Sequence, residues 1–97
     1  MIKTIDHNID EAETWNLFKE AFENTDQDFF KKIKELHSGL SPNDLKLCAY
    51  LRLNLSSKEI APMLNISPRS VEVKRYRLRK KMNLEAKTGL VDYIMGI

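Results

Sequence analysis

The stretch LSSKEIAPMLNISPRSVEVKRYRLRKKMNL, residues 55–84, admits few folds, because it reads as two short helices joined by a two-residue turn. Ser56 is placed to cap a helix from Ser57 to about Leu64, and Glu59 three residues on completes a capping box. Ser67 caps the second helix, whose first-turn residue is Pro68, and Asn65 and Ile66 are left as the turn. From Ser67 to Lys81 there are seven bases (Arg69, Lys74, Arg75, Arg77, Arg79, Lys80, Lys81) and one acid, Glu72, a local net of +6 where the chain as a whole has +2. Positive charge gathered on the second helix of such a pair lies where a helix-turn-helix meets DNA.

Spacing sorts that helix by direction. At about 100° per residue, Val71, Arg75, Leu78 and Met82 share one narrow stripe, whereas Arg69, Glu72, Val73, Tyr76, Arg77 and Lys80 point away from it. The first set is expected in the core and the second in solvent. The rod from Pro68 to Met82 is about 22 Å long at 1.5 Å per residue, enough to lie along a major groove that admits one helix. A charge run alone usually means no more than a solvated face. Here the capped short helix, the tight turn and the one-sided charge occur together, and that combination favours nucleic acid.

These residues also carry a family resemblance, in order and without a gap. Leu40-Ser41-Pro42, Ser57-Lys58-Glu59-Ile60-Ala61, Leu64-Asn65-Ile66-Ser67, Ser70-Val71, Leu78-Arg79-Lys80-Lys81-Met82 and Leu84 resemble the LuxR-type (GerE-like) DNA-binding domain of bacterial transcription factors. The whole chain more weakly resembles the C-terminal cytoplasmic regions of large bacterial sensor or repeat-containing regulators, where a Trp- and Phe-rich helical segment like residues 15–36 precedes such a domain. The resemblance implies an all-α fold in which an N-terminal pair of helices, residues 1–39, packs on a four-helix domain, residues 40–97. It implies sequence-specific binding of double-stranded DNA in transcriptional regulation, with a recognition helix of about 68–82 in the major groove. Carried over position by position, base reading falls on Glu72, Val73 and Tyr76, and phosphate contact on Lys58, Ser67, Arg69, Arg77 and Lys80. A closing helix with Leu90, Val91, Tyr93 and Ile94 is implied to join two protomers as a homodimer, and RNA polymerase or an upstream sensor domain are the implied protein partners.

Three residues depart from the expected pattern. Pro62 lies inside the scaffold helix, lacks a donor and crowds the carbonyl of Lys58, so a kink or a shortened helix is expected there. Glu72 is an acid on the DNA face; it either accepts from cytosine N4 or forms an ion pair with Arg69 or Arg75 at helical spacing. Arg75 falls in the core stripe, where its simplest course is to run outward along its apolar stem, with Glu59 as a candidate partner.

Charge divides the chain in two. Residues 1–40 hold five lysines against nine acids, net −4; residues 41–97 hold eleven bases against five acids, net +6. Only the second half suits DNA. The first half also has helical spacing: Asp10 and Glu13 form a capping-box-like start, followed by Trp15, Phe18 and Phe22. A second helix, starting at Thr25 or Asp26, carries Phe29, Phe30, Ile33 and Leu36 and stops near Ser38 and Gly39. Such an aromatic stripe is either a pocket or partner surface, or simply core, and core is the commoner meaning.

The leading helix of the second half starts at Ser41 with Pro42 in its first turn, and its Leu45, Leu47, Cys48, Ala49, Tyr50, Leu51 and Leu53 cover most of its circumference. A helix apolar on nearly all sides is buried on nearly all sides. One face supports the helix-turn-helix, and another is free to receive the Trp15 and Phe29/Phe30 helices. Lys46 and Arg52 interrupt the apolar surface and are expected to reach solvent. The closing helix, beginning near Thr88, bears Leu90, Val91, Tyr93, Ile94 and Ile97. These residues either pair two protomers or pack on Leu45 and Leu51 of their own chain.

Other function classes lack apparatus. His7 and His37 have no cysteine or carboxylate at metal-ligand spacing and read as lone surface histidines; Gly39, Gly89 and Gly96 are scattered and form no phosphate loop. No enzyme, cofactor or metal is therefore expected. The acids before Leu40 do not follow strands, so no phosphoacceptor receiver is expected among them. The single cysteine, Cys48, excludes an intrachain disulfide and reads as a buried small hydrophobe. No apolar run reaches the roughly 20 residues that span a bilayer, and the first ten residues lack the core of a signal peptide, so no membrane contact and a cytoplasmic location are expected. The rival to DNA binding is a protein-interaction module whose basic helix meets an acidic partner. A sigma-factor-like promoter reader uses a similar helix pair but does not call for the SKEIA segment.

Overall fold

A computed structural model describes residues 11–97, in which there are six helices and no strand: α1 (Glu11–Thr25), α2 (Phe29–Leu36), α3 (Pro42–Arg52), α4 (Ser57–Leu64), α5 (Pro68–Lys81) and α6 (Leu90–Met95). Asp10, the expected cap of α1, and His7 lie outside the described residues.

Local chemistry sets the ends of α3, α4 and α5. Ser41 Oγ accepts from the Asp44 amide at 3.1 Å while the Asp44 carboxylate accepts from the Ser41 amide at 2.9 Å. Ser56 and Glu59 repeat this box at 3.2 and 2.8 Å, and Ser67 Oγ accepts from the Ser70 amide at 3.1 Å. Each cap satisfies donors that a helix start leaves without intrahelical partners. At the other ends, Asn54, Asn65 and Asn83 adopt left-handed backbone, with φ of 61°, 57° and 55°. The amide of the next residue then reaches back five positions: Leu55 to Tyr50, Ile66 to Ala61, and Leu84 to Arg79. Leu55, Ile66 and Leu84 all pack against the core, so the same Asn-apolar stop is used three times. Pro62 does not have the expected shortening effect: the helix runs from Ser57 to Leu64 through the proline.

One apolar core joins the described helices. Leu47 to Leu51 of α3 are buried without a break, and around them lie Phe22, Phe29, Phe30, Ile33, Ile60, Leu64, Val71, Leu78, Met82, Leu90 and Ile94. The aromatic stripe is core. Trp15 meets Tyr50 edge-on with centroids 5.9 Å apart, Phe18 lies 4.7 Å from Tyr50, and Phe22 packs on Phe29 and Phe30 at 5.6 and 5.3 Å. Such pairs contribute about 0.5–1.5 kcal/mol each beyond their buried area.

Several expectations are corrected. Thr25 ends α1, its hydroxyl bonded to the Ala21 carbonyl, and α2 begins only at Phe29 after an Asp26-Gln27-Asp28 turn. Leu36 and Leu53 are not core: at 59% and 49% exposure they stand at the outer ends of their helices. Arg52 does not go to solvent. Its Nε donates to Asp26 at 2.9 Å, Nη1 donates to the carbonyls of Ile94 and Met95 at 2.8 Å each, and the guanidinium lies 4.9 Å over the Phe29 ring. It thus holds the α1–α2 turn and the end of α6 to α3. Lys46 lies 5.7 Å over the Trp15 ring. Nor is His37 a lone surface residue: it is half-buried, and its Nε2 shares a 2.6 Å hydrogen bond with the Tyr93 hydroxyl.

Burial also pushes the Cys48 thiol up to about 12, with Asp44 adding to the effect. No described helix is long and apolar enough to cross a membrane.

Candidate nucleic-acid interface

Helices α4 and α5 form the helix-turn-helix, locked together by apolar residues on their facing sides. Ile60, Ala61 and Leu64 of α4, Val71 and Leu78 of α5, and Met82 just past the end of α5 are buried. The outward face follows the spacing: Arg69, Glu72, Val73, Tyr76, Arg77 and Lys80 are all exposed. Val73 is 43% and Tyr76 58% exposed. Apolar area held out in this way on a charged helix contributes nothing to the core, and it is suited to touching base edges. Lys80 lies one turn beyond Tyr76, its ammonium 5.2 Å over the ring.

Two of the residues carried over from the family pattern are occupied. The Ser57 hydroxyl donates to the Glu72 carboxylate, Arg75 Nη1 donates to Ser57 Oγ at 3.3 Å, and Arg75 and Glu72 are 4.0 Å apart. Glu72 is therefore turned toward the start of α4 and makes an internal ion pair, while Arg75 finds Ser57 and Glu72 in place of Glu59. Ser67 accepts from the Ser70 amide and gives its proton to Ser70 Oγ, each at 3.1 Å, so its hydroxyl serves the cap. Lys58, Arg69, Arg77 and Lys80 remain exposed.

Other bases of α5 serve the fold. Arg79 donates to the backbone carbonyls of Glu85 and Thr88, which orders the connection to α6, and Lys81 reaches Asp44 at 2.6 Å. Burial would raise the Asp44 carboxyl, but the Lys81 and Ser41 hydrogen bonds outweigh it and hold the pKa below its ordinary value. The Glu59 carboxyl is lowered by the Ser56 hydrogen bonds. The structural duty of Arg79 has no signature in helical spacing, because its acceptors lie in a loop.

The closing helix divides its residues. Leu90 and Ile94 are buried against their own chain, with α6 packed on α3, so these two are not presented to a second protomer. Val91 and Tyr93 are half-buried and Met95 is exposed. Among the described residues no group of histidines, cysteines and carboxylates could hold a metal ion.

Residues 38–94 match the family described as bacterial regulatory proteins, luxR family. The oxygen regulatory protein NreC of Staphylococcus carnosus (strain TM300) is 31% identical over 87 residues, 90% of this chain, and that match therefore extends past the family region into the N-terminal helices. The chain spans 40% of the length of that relative. No solved structure gives a significant match. The chain belongs to the luxR family of bacterial regulatory proteins, which bind double-stranded DNA in the regulation of transcription.

Proposed function

We propose that the chain is the operator-reading part of a transcriptional regulator, with α5 lying in the major groove. The observation that carries this is the pair Val73 and Tyr76, held out on the face opposite the buried Val71, Leu78 and Met82. Val73 offers a methyl surface to thymine, and Tyr76 a hydroxyl to a base edge or phosphate. Glu72 reads a base only by giving up Ser57, so it is the weaker reader of the three. Lys58, Arg69, Arg77 and Lys80 contact phosphate, and Ser67 does so only by rotating its hydroxyl away from Ser70. Residues 1–39, through α1 and α2, serve as an adaptor on the DNA-binding domain of residues 40–97, receiving an upstream sensor domain, and RNA polymerase is the downstream partner. Two copies meet on DNA through the outer side of α6, where Met95 is exposed and Val91 and Tyr93 are half-buried.

The test begins with selection of preferred duplexes from random sequence, followed by fluorescence anisotropy on the selected site and on a scrambled one. Val73→Ala and Tyr76→Ala should each change the discrimination by about 1–3 kcal/mol at particular positions. Lys80→Ala should weaken both duplexes about equally and reduce the salt slope by about one unit. An unchanged ratio of affinities in both the Val73 and Tyr76 variants would exclude sequence reading by this face.

A further inference from the structure

We infer that Lys74 and Arg77, facing Asn43 of α3 across a groove, form a clamp for the DNA backbone phosphates of the strand on the α3 side of the recognition helix. The inference rests on the DNA-binding reading above and adds to it a named site and a named strand.

The bases of α5 are not equivalent. Arg75 is held by Ser57 and Glu72, Arg79 by two loop carbonyls, and Lys81 by Asp44. Lys74 and Arg77 make no ion pair or hydrogen bond among the described residues, and both are exposed. They lie three positions apart and therefore on one flank of the helix, with Lys81 a turn further on. That flank borders a groove of about 250 Å³ lined by Lys74, Arg77 and Lys81 on one side and by Ser41, Asn43 and Asp44 on the other. A second hollow of about 110 Å³, toward Leu64 and Ile66, shares Asn43 and Lys74 with it. The groove holds one carboxylate, Asp44, and this is already neutralised by Lys81 at 2.6 Å.

A helix about 10–12 Å across in a groove about 12 Å wide brings both of its flanks against phosphate rows. The flank bearing Glu72 and Arg79 has its charges satisfied within the protein. The α3 flank has two cations without acid partners and, in Asn43, a neutral amide that can donate to a phosphate oxygen. Positive charge on this flank is thus available to the nucleic acid at no cost in internal ion pairs.

The experiment uses the full chain and duplexes carrying the selected site, with single phosphates replaced one at a time by neutral methylphosphonate. The unaltered chain should lose affinity at neighbouring phosphates of one strand. Lys74→Ala/Arg77→Ala should be insensitive at those same positions, with a salt slope shallower by about two units and an unchanged preference for the selected over the scrambled duplex. Asn43→Asp should weaken binding to both duplexes, more at low salt than at high, without lowering the thermal midpoint, since an acid is favoured in the first turn of α3. If the double variant keeps the same methylphosphonate profile and salt slope, the clamp is wrong while DNA binding stands. If the unaltered chain binds no duplex at any salt concentration, the DNA-binding reading falls with it.

Discussion

The N-terminal helices and the helix-turn-helix are built on different principles. Helices α3, α4 and α5 each start on a serine whose side chain caps the helix, and each is followed by a left-handed asparagine, so their limits are written within a few residues of each end. Helix α2 has Asp28 at its start with no side-chain cap, and what holds it is Phe29, Phe30 and Ile33 in the shared core. Caps of this kind fix where a helix starts and stops, although an eight-residue helix such as α4 still depends on packing for its stability. A helix without such signals exists because of its neighbours, since isolated helices of this length are marginal in water.

The comparison breaks most visibly in the aromatic layer. Phe29→Ala, at a side chain only 1% exposed, should cost about 3–5 kcal/mol. Because this ring touches the N-terminal half and Arg52 together, chemical denaturation should show one cooperative transition shifted as a whole. Two transitions, with the second unmoved, would show that the halves are independent. Arg52→Ala sharpens the comparison at its one polar seam: losing the ties to Asp26 and to the α6 carbonyls should cost about 2 kcal/mol, and Arg52→Lys should recover only part of it. A change below a few tenths of a kcal/mol in urea melts would mean that the seam is incidental.

The smallest effect tests the local side. Ser56→Ala should cost about 1 kcal/mol and leave the aromatic layer's fluorescence unchanged. Asp44 and Glu59, both in capping boxes, have lowered pKa values. Their stabilisation is present in full above the unfolded carboxylate values, about 3.9 for Asp and 4.3 for Glu, and is lost as pH falls through the lower folded values. Stability measured from pH 6 to 2 should therefore decline over the acid limb, with a smaller decline in Asp44→Asn. An identical limb in that variant would remove Asp44 from the account.

What could be read beforehand follows the same division. The caps at Ser41, Ser56 and Ser67, the turn at Asn65-Ile66 and the buried stripe of α5 were legible because each depends on residues within one or two turns. Asn54-Leu55 and Asn83-Leu84 carried the same signal as Asn65-Ile66, and reading that pair as a repeated motif would have located all three stops. The ties of Arg52, His37 and Arg79 were not legible, because their partners lie in other elements. Spacing gives the direction in which a side chain leaves its helix, but not what another segment places there. Glu72 shows the limit most clearly: spacing offered it Arg69 or Arg75, and Ser57, which donates to it, lies on another helix.

Cys48 turns this architecture into a clock. It is the chain's single cysteine, fully buried on the helix against which both halves pack, and its thiol is pushed up to about 12. A thiol so enclosed has almost no thiolate to offer a modifying reagent, whose attack must wait for an opening that uncovers α3. Opening that frays α1 alone leaves α6 packed on α3, whereas global opening uncovers α3 entirely and exposes the sulfur. The native chain thus carries its own probe of how often it comes fully apart, with no label introduced and no residue changed.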